Sequence, residues 1–119
     1  MSSEQRKHER VPTDYFVSVQ APKEGKECEG NCRDLSEGGM FITTEEPLPR
    51  GTEVKILIQL ATGNETICVE GIVMWVRPPM PSPQFPPGMG VRFIRVSPEA
   101  RELLQRKIEE RKRRLLSRK

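Results

Sequence analysis

The sequence predicts an all-β domain, a small antiparallel barrel or sandwich of six strands, followed by a C-terminal α-helix. Three observations carry this. From Tyr15 to Phe93 apolar residues recur with a period of two, the pattern of strands with one buried face. Short stretches rich in Pro, Gly, Ser and Asn separate these segments. After Val96 the period lengthens to that of a helix. The 119 residues have room for a single domain spanning 1–119, and closing the sheet is how so short an all-β chain removes its exposed edges.

Residues 1–10 are charged and precede any apolar anchor, so they read as a flexible arm; residues 11–96 hold the strands and 97–119 the helix. Phe16-Val17-Ser18-Val19 alternates, and Glu27 to Arg33 is a weaker strand candidate. Met40-Phe41-Ile42-Thr43-Thr44 is β-branched and aromatic. Val54, Ile56, Ile58 and Leu60 share one face of the next segment. Ile67 to Val76 continues the alternation, with Gly71 at a bend that closure requires, and Gly90 to Ile94 is a last short strand. Phe16, Phe41 and Phe93 fall at core-like positions. Turns are expected at Pro22 to Gly25, Ser36 to Gly39, Pro47 to Gly51 and Thr62 to Asn64. Six of the eleven prolines lie between Arg77 and Gly88, a stretch that cannot pair in a sheet. It reads as a stiff, exposed connection, with Met80 and Phe85 as the apolar contacts it can offer a partner.

The helix opens on Ser97 as N-cap and Pro98 at the first helical position, with Glu99 and Glu102 complementing the dipole, and is expected to reach about Ser117. Leu103, Leu104 and Ile108 can cover one end of the barrel. Leu115 and Leu116 lie beyond a basic stretch, where contact with a partner or a second copy (a homodimer) competes with simple fraying.

The net charge of +3 conceals a split. Residues 105–119 carry eight Lys/Arg against Glu109 and Glu110, a net +6, so the first 104 residues sum to −3. Apolar runs fall far short of the roughly 20 residues that cross a bilayer, so no membrane insertion is expected. The N-terminus lacks the apolar core of a secretory signal, which points to the cytoplasm. There Cys28, Cys32 and Cys68 are expected as free thiols; a zinc site from Cys28 and Cys32 would lack further ligands, since the sole histidine, His8, lies far upstream. No triad, paired carboxylates or phosphate-cradling glycine loop is evident, so the chain reads as a non-enzyme without metal or cofactor.

Two short clusters remain. Arg6 and Arg10 stand four apart just before the first strand, and Asp34-Leu35-Ser36-Glu37-Gly38-Gly39 sits between two strands. Taken singly, the first is a solvated basic tail and the second an Asx-type turn whose glycines adopt positive φ. Together they resemble the PilZ domain family, whose pattern is Arg-x-x-x-Arg ahead of the barrel and Asp/Asn-x-Ser-x-x-Gly further along. Gly38 to Ile42, Leu48-Pro49-x-Gly51, Gly71-x-Val73-x-Trp75-Val76 and Gly88-Met89-Gly90-Val91-x-Phe93 are also similar to that family, so the likeness covers most of residues 6–105.

The resemblance implies a six-stranded β-barrel with a C-terminal helix that binds cyclic di-GMP, a bacterial second messenger. It implies Arg6, Arg10, Asp34, Ser36 and Gly39 as ligand-binding residues, with Gln5, Lys7, Gly38, Trp75, Gly90 and Arg92 as secondary contacts. The chemistry agrees. A guanidinium grips guanine O6 and N7 or a phosphate, a carboxylate accepts from guanine N1–H and N2, and a glycine lets the ligand approach the backbone. Gln5 replaces a basic residue common in the family, which leaves one or two bound nucleotides open. Trp75 alternates with Val73, which favours a core position over a stacking platform. The implied role is a receptor-adaptor that changes conformation and signals to an unidentified downstream protein in motility, biofilm or polysaccharide control. Two rivals are a nucleic-acid module using the basic tail, disfavoured by the scarcity of exposed aromatics, and a PilZ-fold adaptor without nucleotide.

Overall fold

The computed structural model describes residues 10–60, 65–79 and 84–117. Among the described residues six strands, β1 (Val11–Ala21), β2 (Lys26–Leu35), β3 (Gly39–Thr43), β4 (Glu53–Gln59), β5 (Thr66–Arg77) and β6 (Gly88–Arg95), precede one helix, α1 (Pro98–Ser117). All neighbours pair antiparallel in the closed order β1-β2-β3-β6-β5-β4, so the sheet is a barrel and not a sandwich. The ladder from Phe16↔Gln59 to Gln20↔Lys55 between β1 and β4 completes the ring.

Alternation builds the core. Val11, Thr13, Tyr15, Val17, Val19 and Ala21 of β1 point inward, and Val54, Ile56, Ile58 and Leu60 meet them from the β4 side, as the period of two predicts. Phe16 falls between the inward Tyr15 and Val17, so it stands on the outer face and is 40% exposed; its expected core position is corrected by strand parity. The weak candidate β2 is a full strand. Few of its side chains are buried, and pairing with β1 on one side and β3 on the other holds it in place. At Gly71 the β5–β6 ladder shifts register, the bend that closure demands.

One loop expectation changes. Arg77 and Gly88 are the last pair of the β5–β6 ladder, so the proline-rich stretch leaves the sheet only between them. Met80, within it, and the turn expected at Thr62 to Asn64 lie outside the described residues.

The helix closes the barrel mouth. The Ser97 Oγ accepts from the Ala100 N–H at 3.1 Å, satisfying a first-turn donor as an N-cap should. Ala100, Leu104 and Ile108, four residues apart, put one stripe into the core against β1 and β5, while Leu103 is half-buried at its edge. Full burial of Leu104 or Ile108 contributes roughly 2 kcal/mol. The Arg111 guanidinium lies 5.2 Å from the ring centre of the buried Tyr15 and roofs the seam. Among the described residues no helix is long and apolar enough to cross a membrane.

Candidate functional site

The β1–β2 ladder slips between Pro12 and Tyr15, and the β2–β3 ladder slips between Cys32 and Asp34. These irregularities set the direction of two nearby polar side chains: Cys32 is fully buried, whereas Asp34 stands on the outer wall. Arg10, just ahead of β1, donates from Nη1 to Asp34 Oδ1 at 2.5 Å, with the two side chains 51% and 35% exposed. So exposed a pair contributes at most about 1 kcal/mol and is cheaply exchanged for other partners. Arg6, Gln5 and Lys7 lie outside the described residues.

The turn after Asp34 is built by Ser36. Its backbone N–H donates to the Gly39 carbonyl at 2.9 Å, and its Oγ accepts from the N–H groups of Gly38 at 3.2 Å and Gly39 at 3.1 Å. The hydroxyl completes its bonding by donating to the Gly39 carbonyl at 3.3 Å, and Ser36 is buried. The turn is therefore closed by the serine rather than by Asp34, and neither Gly38 nor Gly39 takes positive φ; Gly25 and Gly51 do, in two other turns. The Gly38 carbonyl accepts from the Phe93 N–H at 2.9 Å, which bolts the turn to β6. A Cβ at Gly39 would collide with the Val91 carbonyl oxygen, so the close approach of the β6 backbone requires a glycine here.

Cross-strand register then aligns a row on the outer wall: Asp34 opposite Phe41, Phe41 opposite Gly90, Gly90 opposite Trp75. At roughly 4.8 Å per strand the row spans about 14 Å. A second register shift in β5, between Val73 and Trp75, breaks the alternation there. Trp75 is accordingly 46% exposed, which corrects its expected core position. Its indole lies on Gly90, where a Cβ would meet Nε1, and stacks on Phe41 with centroids 5.1 Å apart and planes at 12°. Phe41 is buried, as expected, but under this cover and not among the barrel's core cluster. Arg92 is exposed and pairs in register with Gly39, beside the turn.

One cluster on this wall went unread in the sequence. The Arg77 guanidinium carbon sits 4.8 Å from the Phe41 centroid, 5.7 Å from Trp75 and 5.9 Å from Phe85, so one cation draws three rings together. The available signal was spacing: Trp75 and Arg77 are two apart on one strand and share its face. Trp75 and Phe85, 48% exposed, also correct the expected scarcity of surface aromatics.

A small closed barrel whose mouth is capped by a helix, and whose polar and aromatic features lie on the outer wall instead of in a lumen, is the class this architecture defines. The model of the PilZ domain matches residues 4–110, and the chain belongs to that family. No curated protein matches it by sequence. Among solved structures it is similar to the PilZ domain with c-di-GMP of YcgR from Escherichia coli, with TM-score 0.74, 20% identity and 96% of each chain covered. It is similar to the K. pneumonia MrkH–c-di-GMP complex, with TM-score 0.77, 16% identity, and 96% of this chain against 55% of that one. It is also similar to the Bacillus subtilis inhibitor of motility MotI/DgrA, with TM-score 0.73, 18% identity, and 97% of this chain against 53% of that one. The chain thus spans about half the length of MrkH and MotI. At such identities these likenesses concern the fold.

Proposed function

We propose that this PilZ domain is a receptor for cyclic di-GMP, binding and not transforming it, and that it signals by contact to a partner protein. The observation that carries the reading is the exposed, complementary Arg10–Asp34 pair on the outer wall. Asp34 presents acceptors suited to guanine N1–H and N2, and Arg10 presents a donor fork suited to guanine O6 and N7 or to phosphate. Arg6, four residues before Arg10, supplies a second guanidinium; Arg92 adds charge beside the turn, and the half-exposed Trp75 indole offers a stacking plane. Ser36, Gly38, Gly39 and Gly90 act by shaping this wall. Membership of the family supports the reading, as do likenesses to two structures described with c-di-GMP.

Binding exchanges the Arg10–Asp34 pair for contacts to the nucleotide and redirects the segment that leads into β1. The altered surface is what a partner reads. Likeness to an inhibitor of motility supports an output in motility control, with biofilm and polysaccharide control as related outputs. The reading places the protein in the bacterial cytoplasm.

Calorimetric titration with cyclic di-GMP tests this. Wild type should bind with a micromolar or lower Kd, while Arg10→Ala and Asp34→Ala should each bind about tenfold or more weakly, since a hydrogen bond to a charged group contributes roughly 1.5–3 kcal/mol. Trp75, the sole tryptophan, should report the same titration by fluorescence. Wild-type affinity in both variants, or no heat in any, overturns the proposal.

A further inference from the structure

Past Ile108 the helix α1 contributes nothing more to the core, yet it runs on to Ser117. Residues 111–117, the end of the described helix, read Arg-Lys-Arg-Arg-Leu-Leu-Ser, four cations and no acid. Within them Leu115 is 45% exposed and Leu116 67%, against 1% for Leu104 and 4% for Ile108 on the same helix. Leu115 lines a shallow groove with Pro12, Thr13, Asp14, Arg111 and Arg114, which leaves Leu116 as the projecting side chain.

Three kinds of occupant can cover apolar groups in such a setting, and pattern and charge choose between them. A protein groove that takes a helix needs anchors at i, i+3, i+4 and i+7. Here residues 109–114 hold no apolar side chain, and adjacent Leu115 and Leu116 point about 100° apart, forming a tip rather than a stripe. A second copy of the same segment would set four cations against four. An anionic bilayer surface meets both features at once, with leucines entering below the headgroups while lysine and arginine stems extend to the lipid phosphates.

The geometry points to the distal turns of α1 as a docking tip for anionic membrane surfaces, lying on the bilayer without spanning it. This assignment is independent of nucleotide binding. It adds a second interaction surface, on the helix that caps the barrel rather than on the outer wall.

Co-sedimentation with vesicles tests it, using the full chain. Binding to mixed phosphatidylcholine–phosphatidylglycerol vesicles should exceed binding to phosphatidylcholine alone by about tenfold or more, and should weaken with added salt. Leu116→Ser should weaken it by roughly tenfold, the effect of withholding one leucine from the interface, with an unchanged thermal midpoint because that side chain is exposed. Leu115→Ser together with Leu116→Ser should weaken it further. Equal binding to both vesicle types overturns the inference, as does undiminished binding of the double variant, which would reduce the effect to counterion attraction. Leucine-dependent self-association in sedimentation without vesicle binding assigns the tip to a second copy instead, and RNA binding without vesicle binding assigns it to a generic polyanion.

Discussion

On the inner side of the wall around residues 32–39, the Cys32 thiol donates to the Asp34 carbonyl and lies beside the Thr13 hydroxyl, and the Ser36 hydroxyl is consumed by its own turn. On the outer side of the same stretch, Asp34 holds Arg10 in half-exposed contact, and further along the row Arg77 rests on three rings. Inside, every buried side-chain N or O atom among the described residues has a partner. Those bonds stabilise the wall and cannot be traded without unfolding part of it. Outside, the contacts are shallow and screened, so a ligand can replace them at small cost. The short motif from Asp34 to Gly39 is thus divided between the two sides: the Asp34 carboxylate faces outward, while Leu35 and Ser36 are buried and the Gly38 and Gly39 backbone is tied to Ser36 and Phe93.

The inner side makes the largest prediction. Burial pushes the Cys32 thiol up from its ordinary 9 to about 11, helped by Asp34 and opposed by the Thr13 hydroxyl and Arg10. A folded-state pKa raised above the unfolded one means that the stability is fully present below pH 9 and is lost as pH rises toward 11. The slope is about 1.4 kcal/mol per pH unit, so the loss reaches about 3 kcal/mol. Urea unfolding of wild type and Cys32→Ala across that range isolates the thiol, because the other titrating groups cancel in the difference. A difference that stays flat with pH would show the inner side to be as accessible as the outer.

Ser36→Ala is expected to cost about 2 kcal/mol, since it leaves the N–H groups of Gly38 and Gly39 without their shared acceptor in a buried turn. The thermal midpoint should fall accordingly, and nucleotide affinity should fall with it as Asp34 loses its support. A loss under about half a kcal/mol would mean that the hydroxyl is dispensable to the turn and free for a ligand, which would move Ser36 to the outer side of the comparison.

How much of this was legible in the sequence follows the same division. The period of two located Val54, Ile56, Ile58 and Leu60 on one inward face, and Ser97-Pro98 located the helix start, because both are local patterns. Phe16 and Trp75 were misplaced because direction depends on strand parity and on a register shift, and the shift before Trp75 arises from pairing with β6. The Arg10–Asp34 contact was approachable only through family resemblance, since nothing local in either segment says that the two will meet. Gly39 was recognised as a required glycine, but its packing neighbour was not: the space a Cβ would take is held by the Val91 carbonyl of a strand more than fifty residues away. The Arg77 cluster needed both registers at once, which is why it escaped.

The smallest expected effect belongs to that cluster. Arg77→Ala removes a cation from the faces of Phe41, Trp75 and Phe85, contacts that contribute about 0.5–1 kcal/mol where solvent reaches them. Stability should therefore fall by no more than about 1 kcal/mol. Trp75 emission should nevertheless shift, because the indole loses a neighbouring charge and gains water, and no second tryptophan obscures the change. A stability loss above about 2 kcal/mol would instead make Arg77 a pillar of the fold, holding Phe41 against the barrel as Ser36 holds its turn. The outer wall would then be as firmly bonded as the inner one, and the exchangeable surface would shrink to Arg10, Asp34 and Arg92.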